Sequence, residues 1–237
     1  MRILIAVACL LSAMVSAAPL VAVDVGHSLA APGAMSARGR PEFEFNRDLA
    51  AELARNLVAH GFEVRLIGAD GELTTPSQRT DAARGAQLLL SIHHDSVQPS
   101  YLQEWEYQGS VRRFSDRFAG FALFVAHRNP QFGKSLACAS AIGEHLQAAG
   151  FTPSRYHAEL IPGESRLFAD PSNGVHYHEN LGVLRRATLP AVLLEAGVIV
   201  NRAEEERLRD PVTQRRFAAA VAVGVKTCLA APAMAER

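Results

Sequence analysis

The chain has 237 residues, 49% of them hydrophobic, enough to bury a sizeable core within one domain. Its 24 basic and 24 acidic residues cancel, which argues against nucleic acid or an anionic membrane as the main partner. Only Lys134 and Lys226 are lysines, so arginine carries almost all of the positive charge.

The first residues have the three parts of a secretory leader. Met1-Arg2 is a positive start, Ile3 to Val15 is an apolar run too short to span a bilayer comfortably, and Ser16-Ala17-Ala18-Pro19 offers small residues for cleavage. Cleavage after Ala17 is expected, leaving residues 18–237 as one exported domain, periplasmic or secreted, with no stable membrane insertion. That domain retains Cys138 and Cys228. In an oxidising compartment they could form one disulfide or remain two separately buried thiols. Neither has a nearby cysteine partner of the kind a metal site needs.

Val21-Ala-Val-Asp-Val-Gly-His27 reads as a strand that stops at a glycine and presents a histidine. Gly26 is expected to let the backbone turn there at low steric cost. Ser28 to Arg40 is a Gly- and Pro-bearing loop. From about Phe45 a helix follows, with Leu49, Leu53 and Leu57 at spacing four and Gly61 as its stop. Phe62 to Ile67 alternates like a strand with one more exposed face. Thr75 begins a second helix that runs to Ala83 or Arg84. Leu88-Leu-Leu-Ser-Ile-His93 is a continuous apolar run suited to a strand covered on both faces.

Residues 96–119 interrupt this alternation and read as a short helical or irregular excursion, an insertion or lid containing the only tryptophan, Trp105. Gly120 to His127 is a further strand, Ser135 to Ala149 a helix, and Tyr156 to Tyr177 a long loop. Leu181 to Arg185 is a short strand or turn. Leu189-Pro-Ala-Val-Leu-Leu-Glu195 repeats the opening theme of an apolar run delivering one polar residue. Asn201 caps a charged helix from about Ala203, and a last helix spans Pro211 to Ala230. The predicted fold is one α/β domain, a mostly parallel twisted sheet with helices on both faces in three α/β/α layers.

Three apolar strands thus end in His27, His93 and Glu195, and Glu42 lies just before the first helix. In open parallel sheets the carboxyl ends of the strands line the ligand crevice. Two imidazoles and one carboxylate, with a fourth position left to water, form the ligand set of a catalytic zinc site. The remaining carboxylate could then act on that water. Taken singly, His27 has a bland reading as a hydrogen-bonded strand-end residue, and Glu42 as a partner for the helix dipole. Glu195 directly follows Val-Leu-Leu, and burying its charge unpaired would cost several kcal/mol.

The ordered motifs resemble the zinc-dependent N-acetylmuramoyl-L-alanine amidases of the amidase_3 type. They are Asp24-Val-Gly-His27, Glu42 with Asn46 four residues on, Ser91-Ile-His93-His94-Asp95, and Pro190 to Gly197 with Asn201. The resemblance covers about Leu20 to Leu229 and makes residues 18–237 the catalytic domain. It implies a Zn2+ cofactor held by His27, Glu42 and His93, with Glu195 as the catalytic carboxylate. The step to Asn46 favours Glu42 over Glu44. His94 competes with His93, but adjacent strand residues face opposite ways, so both are not expected at one metal. The implied substrate is peptidoglycan or muropeptides, cut between the lactyl group of N-acetylmuramic acid and L-alanine. Whether an activator protein takes part is left open. Alternatives are a zinc peptidase or deacylase acting on another cell-wall amide, or an inactive cell-wall binding protein.

Overall fold

The computed structural model describes residues 17–231, so the expected leader lies outside the described residues apart from Ala17. Its sheet has seven strands in the order β2-β1-β3-β9-β6-β8-β7. The first half of the chain supplies β1 (Leu20–Val25), β2 (Glu63–Ile67) and β3 (Leu88–Asp95), and the second half supplies β6 (Ala122–Val125), β7 (Phe168–Asp170), β8 (Val175–Tyr177) and β9 (Ala191–Val198). Strands β2, β1, β3 and β9 run parallel; β6 is antiparallel to β9, and β7 is antiparallel to β8. Among the described residues no helix is long and apolar enough to cross a membrane.

The alternation of side chains along each strand divides the core in two. Val21, Val23, Leu88, Leu90, Val192 and Leu194 face α1 (Glu42–Ala59), α3 (Phe132–Ala148) and α6 (Pro211–Ala230). Leu53 and Leu57 of α1 are fully buried on that side, each contributing about 1.5–3 kcal/mol relative to exposure. Ala22, Leu89, Leu193 and Phe124 face the other way, toward α2 (Pro76–Ala82) and α4 (Gly182–Arg186). Both faces of β1, β3 and β9 are therefore covered, which is why these strands read as unbroken apolar runs. The remaining helix is α5 (Arg202–Arg209), capped by the Asn201 side chain, which accepts from the backbone N–H groups of Ala203 and Glu204.

Four expectations are corrected. Residues 96–119 hold a β-hairpin, β4 (Gln103–Tyr107) with β5 (Ser110–Phe114), rather than a helical or irregular segment. Its two-residue turn is Gln108-Gly109, both at positive φ (50° and 72°), the handedness that lets strands twist across a tight hairpin. Trp105 Nε1 donates to the Ala37 carbonyl at 3.0 Å, and the Arg202 guanidinium lies 3.8 Å from the Phe114 ring centre, so the hairpin is seated on the loop before α1 and on α5. The stretch Tyr156 to Tyr177 contains the short strands β7 and β8. Where a short strand or turn was expected over Leu181 to Arg185, helix α4 begins directly after Leu181. Helices α1 and α3 each begin three residues earlier than the apolar periodicity indicates.

Cys138 on α3 and Cys228 on α6 form a disulfide with their Cα atoms 4.9 Å apart. The bond closes a separation of 90 residues, so replacing both cysteines with alanine is expected to lower stability by about 2–5 kcal/mol. Urea denaturation of the oxidised protein and the double variant checks this, and equal midpoints at equal slope would contradict it.

Candidate metal centre

The carboxyl ends of β1 and β3 meet the start of α1. Gly26 N–H donates to the Ile92 carbonyl at 2.9 Å, and the Gly26 carbonyl accepts from Asn46 Nδ2 at 3.1 Å. His27 comes next with φ of 69°, the left-handed region that costs a non-glycine residue about 1–2 kcal/mol. The turn is thus made by His27 itself, whereas Gly26 was expected to make it. Gly26 instead leaves space for a neighbouring ring, since a Cβ there would lie 2.3 Å from His93 Nε2. Gly33, at φ of 80°, has the same relation to the other members, since its Cβ would lie 2.4 Å from Glu42 Oε2 and 2.8 Å from His27 Nε2. Two glycines leave the volume in which the side chains converge.

His27 Nε2 lies 3.0 Å from Glu42 Oε1, and His93 Nδ1 lies 3.1 Å from the same oxygen. The two imidazoles meet edge to face with ring centres 4.9 Å apart. One donor atom from each of His27, Glu42 and His93 can be chosen so that all lie within 4.8 Å of one another. Glu42 is buried at the first position of α1, where Oε2 accepts from Ala34 N–H at 3.1 Å and Oε1 accepts from Asn46 Nδ2 at 3.3 Å. Burial alone would raise its pKa, but the hydrogen bonds and charges of His27 and His93 outweigh that and hold the carboxyl well below the usual range. Two imidazoles and a carboxylate gathered this closely fit the donor set that Zn2+ accepts.

The competing residues go elsewhere. Glu44 pairs with Arg40 at 2.9 Å. His94 faces the α1 side of the sheet, where its Nδ1 lies 2.8 Å from Asn46 Oδ1 and burial pushes its pKa down to about 3. Glu195 is paired in register with His93 across the parallel β3–β9 ladder, so the two side chains leave the same face of the sheet. Its Oε2 is buried and finds no hydrogen-bond partner among the described residues. Burial, reinforced by the charges of Asp95 and Glu42, raises the Glu195 pKa well above the ordinary carboxylate value. A cleft of about 220 Å³ opens beside His27 and His93, walled by Thr74, Leu181 and Val183.

Sequence reasoning overlooked a second polar cluster and a buried arginine. His157, in the stretch read as a loop, lies between Asp95 (Nε2 to Oδ2, 2.7 Å) and Glu164 (Nδ1 to Oε2, 2.9 Å). Arg79 of α2 is buried against the end of β1. Neither residue has a sequence signal of its own. Apart from local contacts to Glu164 and Leu73, their partners lie 62 residues away for His157 and 52–55 residues away for Arg79. Gly33 was hidden among the other small residues of its loop.

A mostly parallel α/β domain thus gathers two imidazoles and a carboxylate at its strand ends, a donor set that could hold a metal ion, with another carboxylate alongside. The N-acetylmuramoyl-L-alanine amidase profile matches residues 21–227, and the chain belongs to that family. It is 28% identical over 236 aligned residues to the probable N-acetylmuramoyl-L-alanine amidase AmiB of Haemophilus influenzae, a match covering 85% of this chain and 50% of that protein. It thus spans about half the length of the curated relatives it matches. The catalytic domain of CwlV, an N-acetylmuramoyl-L-alanine amidase of Bacillus (Paenibacillus) polymyxa var. colistinus, superposes with a TM-score of 0.65 at 26% identity, covering 89% of this chain and 98% of that one. The Ami1 amidase of Mycobacterium abscessus shares the fold with a TM-score of 0.71 at 21% identity, covering 91% and 100%.

Burial disfavours the charged His157, but Asp95 and Glu164 outweigh that and lift its pKa from 6.5 to about 9. A raised folded-state pKa contributes stability that is complete below about pH 6.5 and is lost as pH rises toward 9. Wild type is therefore expected to lose roughly 2–3 kcal/mol more than His157→Gln across that window. Urea denaturation at a series of pH values measures the difference, and parallel pH profiles would contradict it.

Proposed function

We propose that the chain is a zinc-dependent amidase that cleaves peptidoglycan between N-acetylmuramic acid and the L-alanine of the stem peptide. The observation that carries this reading is the convergence of His27, Glu42 and His93 beside Glu195, whose buried Oε2 has no partner among the described residues. His27, Glu42 and His93 would hold the ion. Zinc supplies Lewis acidity, which makes water nucleophilic near neutral pH and polarises an amide carbonyl.

The chain's own groups do the rest. Glu195 takes the proton from the attacking water and returns it to the amide nitrogen, first as general base and then as general acid. Oxygen bonds to the lactyl carbonyl carbon as the C–N bond breaks, leaving a lactyl carboxylate and a stem peptide with a free L-alanine amine. Asn46 and the N-terminus of α1 hold the Glu42 carboxylate in place. The cleft beside His27 and His93 offers room for the substrate next to the reacting bond. A periplasmic or secreted setting agrees with that substrate, with the leader-like first residues and with the Cys138–Cys228 disulfide. The relatives bearing the amidase name support the reaction class.

Three outcomes are expected. Digestion of muropeptides, followed by mass spectrometry, should release intact stem peptides with free L-alanine termini. Glu195→Gln should bind zinc but turn over about 10²–10⁴-fold more slowly, and a chelator should abolish activity until zinc is restored. Undiminished cleavage by Glu195→Gln or by metal-free protein would overturn the assignment. Separately, Gly26→Ala should displace the His93 ring and weaken zinc binding about ten-fold or more. Competition against a fluorescent chelator measures that change, and wild-type affinity in the variant would show that the ring can move aside.

A further inference from the structure

Arg79 projects from α2 and is only 7% exposed. Its Nη1 donates to Asp24 Oδ1 at 2.6 Å and to the Val25 carbonyl, and its Nη2 donates to the His27 carbonyl and, at 2.8 Å, to that of Leu73. The other oxygen of Asp24 accepts from Ser91 Oγ on β3 at 2.6 Å. The carbonyls of Val25 and His27 bracket Gly26, and both accept from this one guanidinium, the second of them on a residue whose backbone is left-handed. Gly68, at φ of 68°, leaves room for the guanidinium, since a Cβ there would lie 3.0 Å from Nη1.

We propose that Arg79 is a positioning residue for the metal centre: its guanidinium holds His27 in the left-handed conformation and so aims the imidazole at Glu42 and His93. Arg79 makes no hydrogen bond to a ligand side chain; its contact with His27 is to the backbone carbonyl. A planar fork with several fixed donors suits this role, because one group must satisfy a carboxylate and three carbonyls at once. The Thr75–Gln78 capping box fixes the start of α2 and hence the place from which the arginine reaches. Asp24, tied to β3 through Ser91, fixes the other side. The clamp thereby links the β1 end that carries His27 to the β3 strand that carries His93.

The inference rests on the zinc site proposed above, and the test separates the two. Zinc affinity of wild type, Arg79→Met and Arg79→Lys is measured by competition with a fluorescent chelator, together with the visible absorption of the Co2+ forms and thermal unfolding of the metal-free proteins. The expected result is a loss of zinc affinity of about ten- to a hundred-fold in Arg79→Met, with altered Co2+ bands, and a smaller loss in Arg79→Lys. Lower thermal stability with unchanged zinc affinity and Co2+ spectrum would overturn the proposal, because a purely structural arginine gives that pattern. Should Arg79→Met fail to fold, Arg79→Lys keeps a cation beside Asp24 and decides by the same two readouts. Wild type that binds no zinc would overturn the site reading on which the inference rests.

Discussion

A carboxylate buried at the head of a helix is the constraint around which the rest of the site is arranged. Left alone, the Glu42 charge would cost several kcal/mol of desolvation. The fold offsets this with two imidazoles, an asparagine amide, backbone N–H groups from Ala34 and His94, and the positive end of α1. These donors come from four parts of the chain, the end of β1, the loop before α1, α1 itself and the end of β3. Loss of any one leaves the same charge less well held, so the loop before α1, the end of β1 and the end of β3 are bound into one arrangement. Its stability and its capacity to hold a cation have the same origin.

That arrangement depends on backbone shape as much as on side-chain identity. His27 can meet Glu42 only because its backbone is left-handed, and His93 can lie alongside only because Gly26 has no Cβ. Gly33 clears the third side. Strain at His27 is the kind of local cost that persists when the surroundings over-determine it, and the Arg79 network provides that over-determination. The glycines matter here through excluded volume at Gly26 and through both volume and φ at Gly33.

The parts of the fold legible in the sequence are those buried on both faces. Strands β1, β3 and β9 announce themselves as apolar runs because helices cover each side, and the polar residue that ends each run is conspicuous for the same reason. The four motif positions could be ordered along the chain, and the family resemblance chose between Glu42 and Glu44. The shortest elements were not legible. Strands β7 and β8 have three residues each, too few to display a period, and helix α4 has five. The β4–β5 hairpin was missed because its turn is Gln108-Gly109 in place of the more recognisable Asn-Gly or Asp-Gly. Arg79 and His157 were illegible for another reason: their roles depend chiefly on partners brought close by the tertiary fold.

The strand ends carry more carboxylates than cations, and their unequal treatment is informative. Glu42 has two imidazoles and a helix terminus; Asp95 and Glu164 share His157 between them, and Gln98 Nε2 adds a hydrogen bond to Glu164 at 3.2 Å. Glu195 Oε2 has no such partner among the described residues, although it is buried on the same sheet face. The environments therefore push the carboxyl groups in opposite directions, Glu42 toward its charged form and Glu195 toward its protonated one. Groups separated in this way suit different roles, a permanent anion that can serve as a ligand and a carboxyl that can exchange a proton. The distinction arises from which neighbours each side chain has, since both are glutamates: one Glu42 oxygen is shared by two imidazoles, whereas Glu195 Oε2 is left without a partner among the described residues.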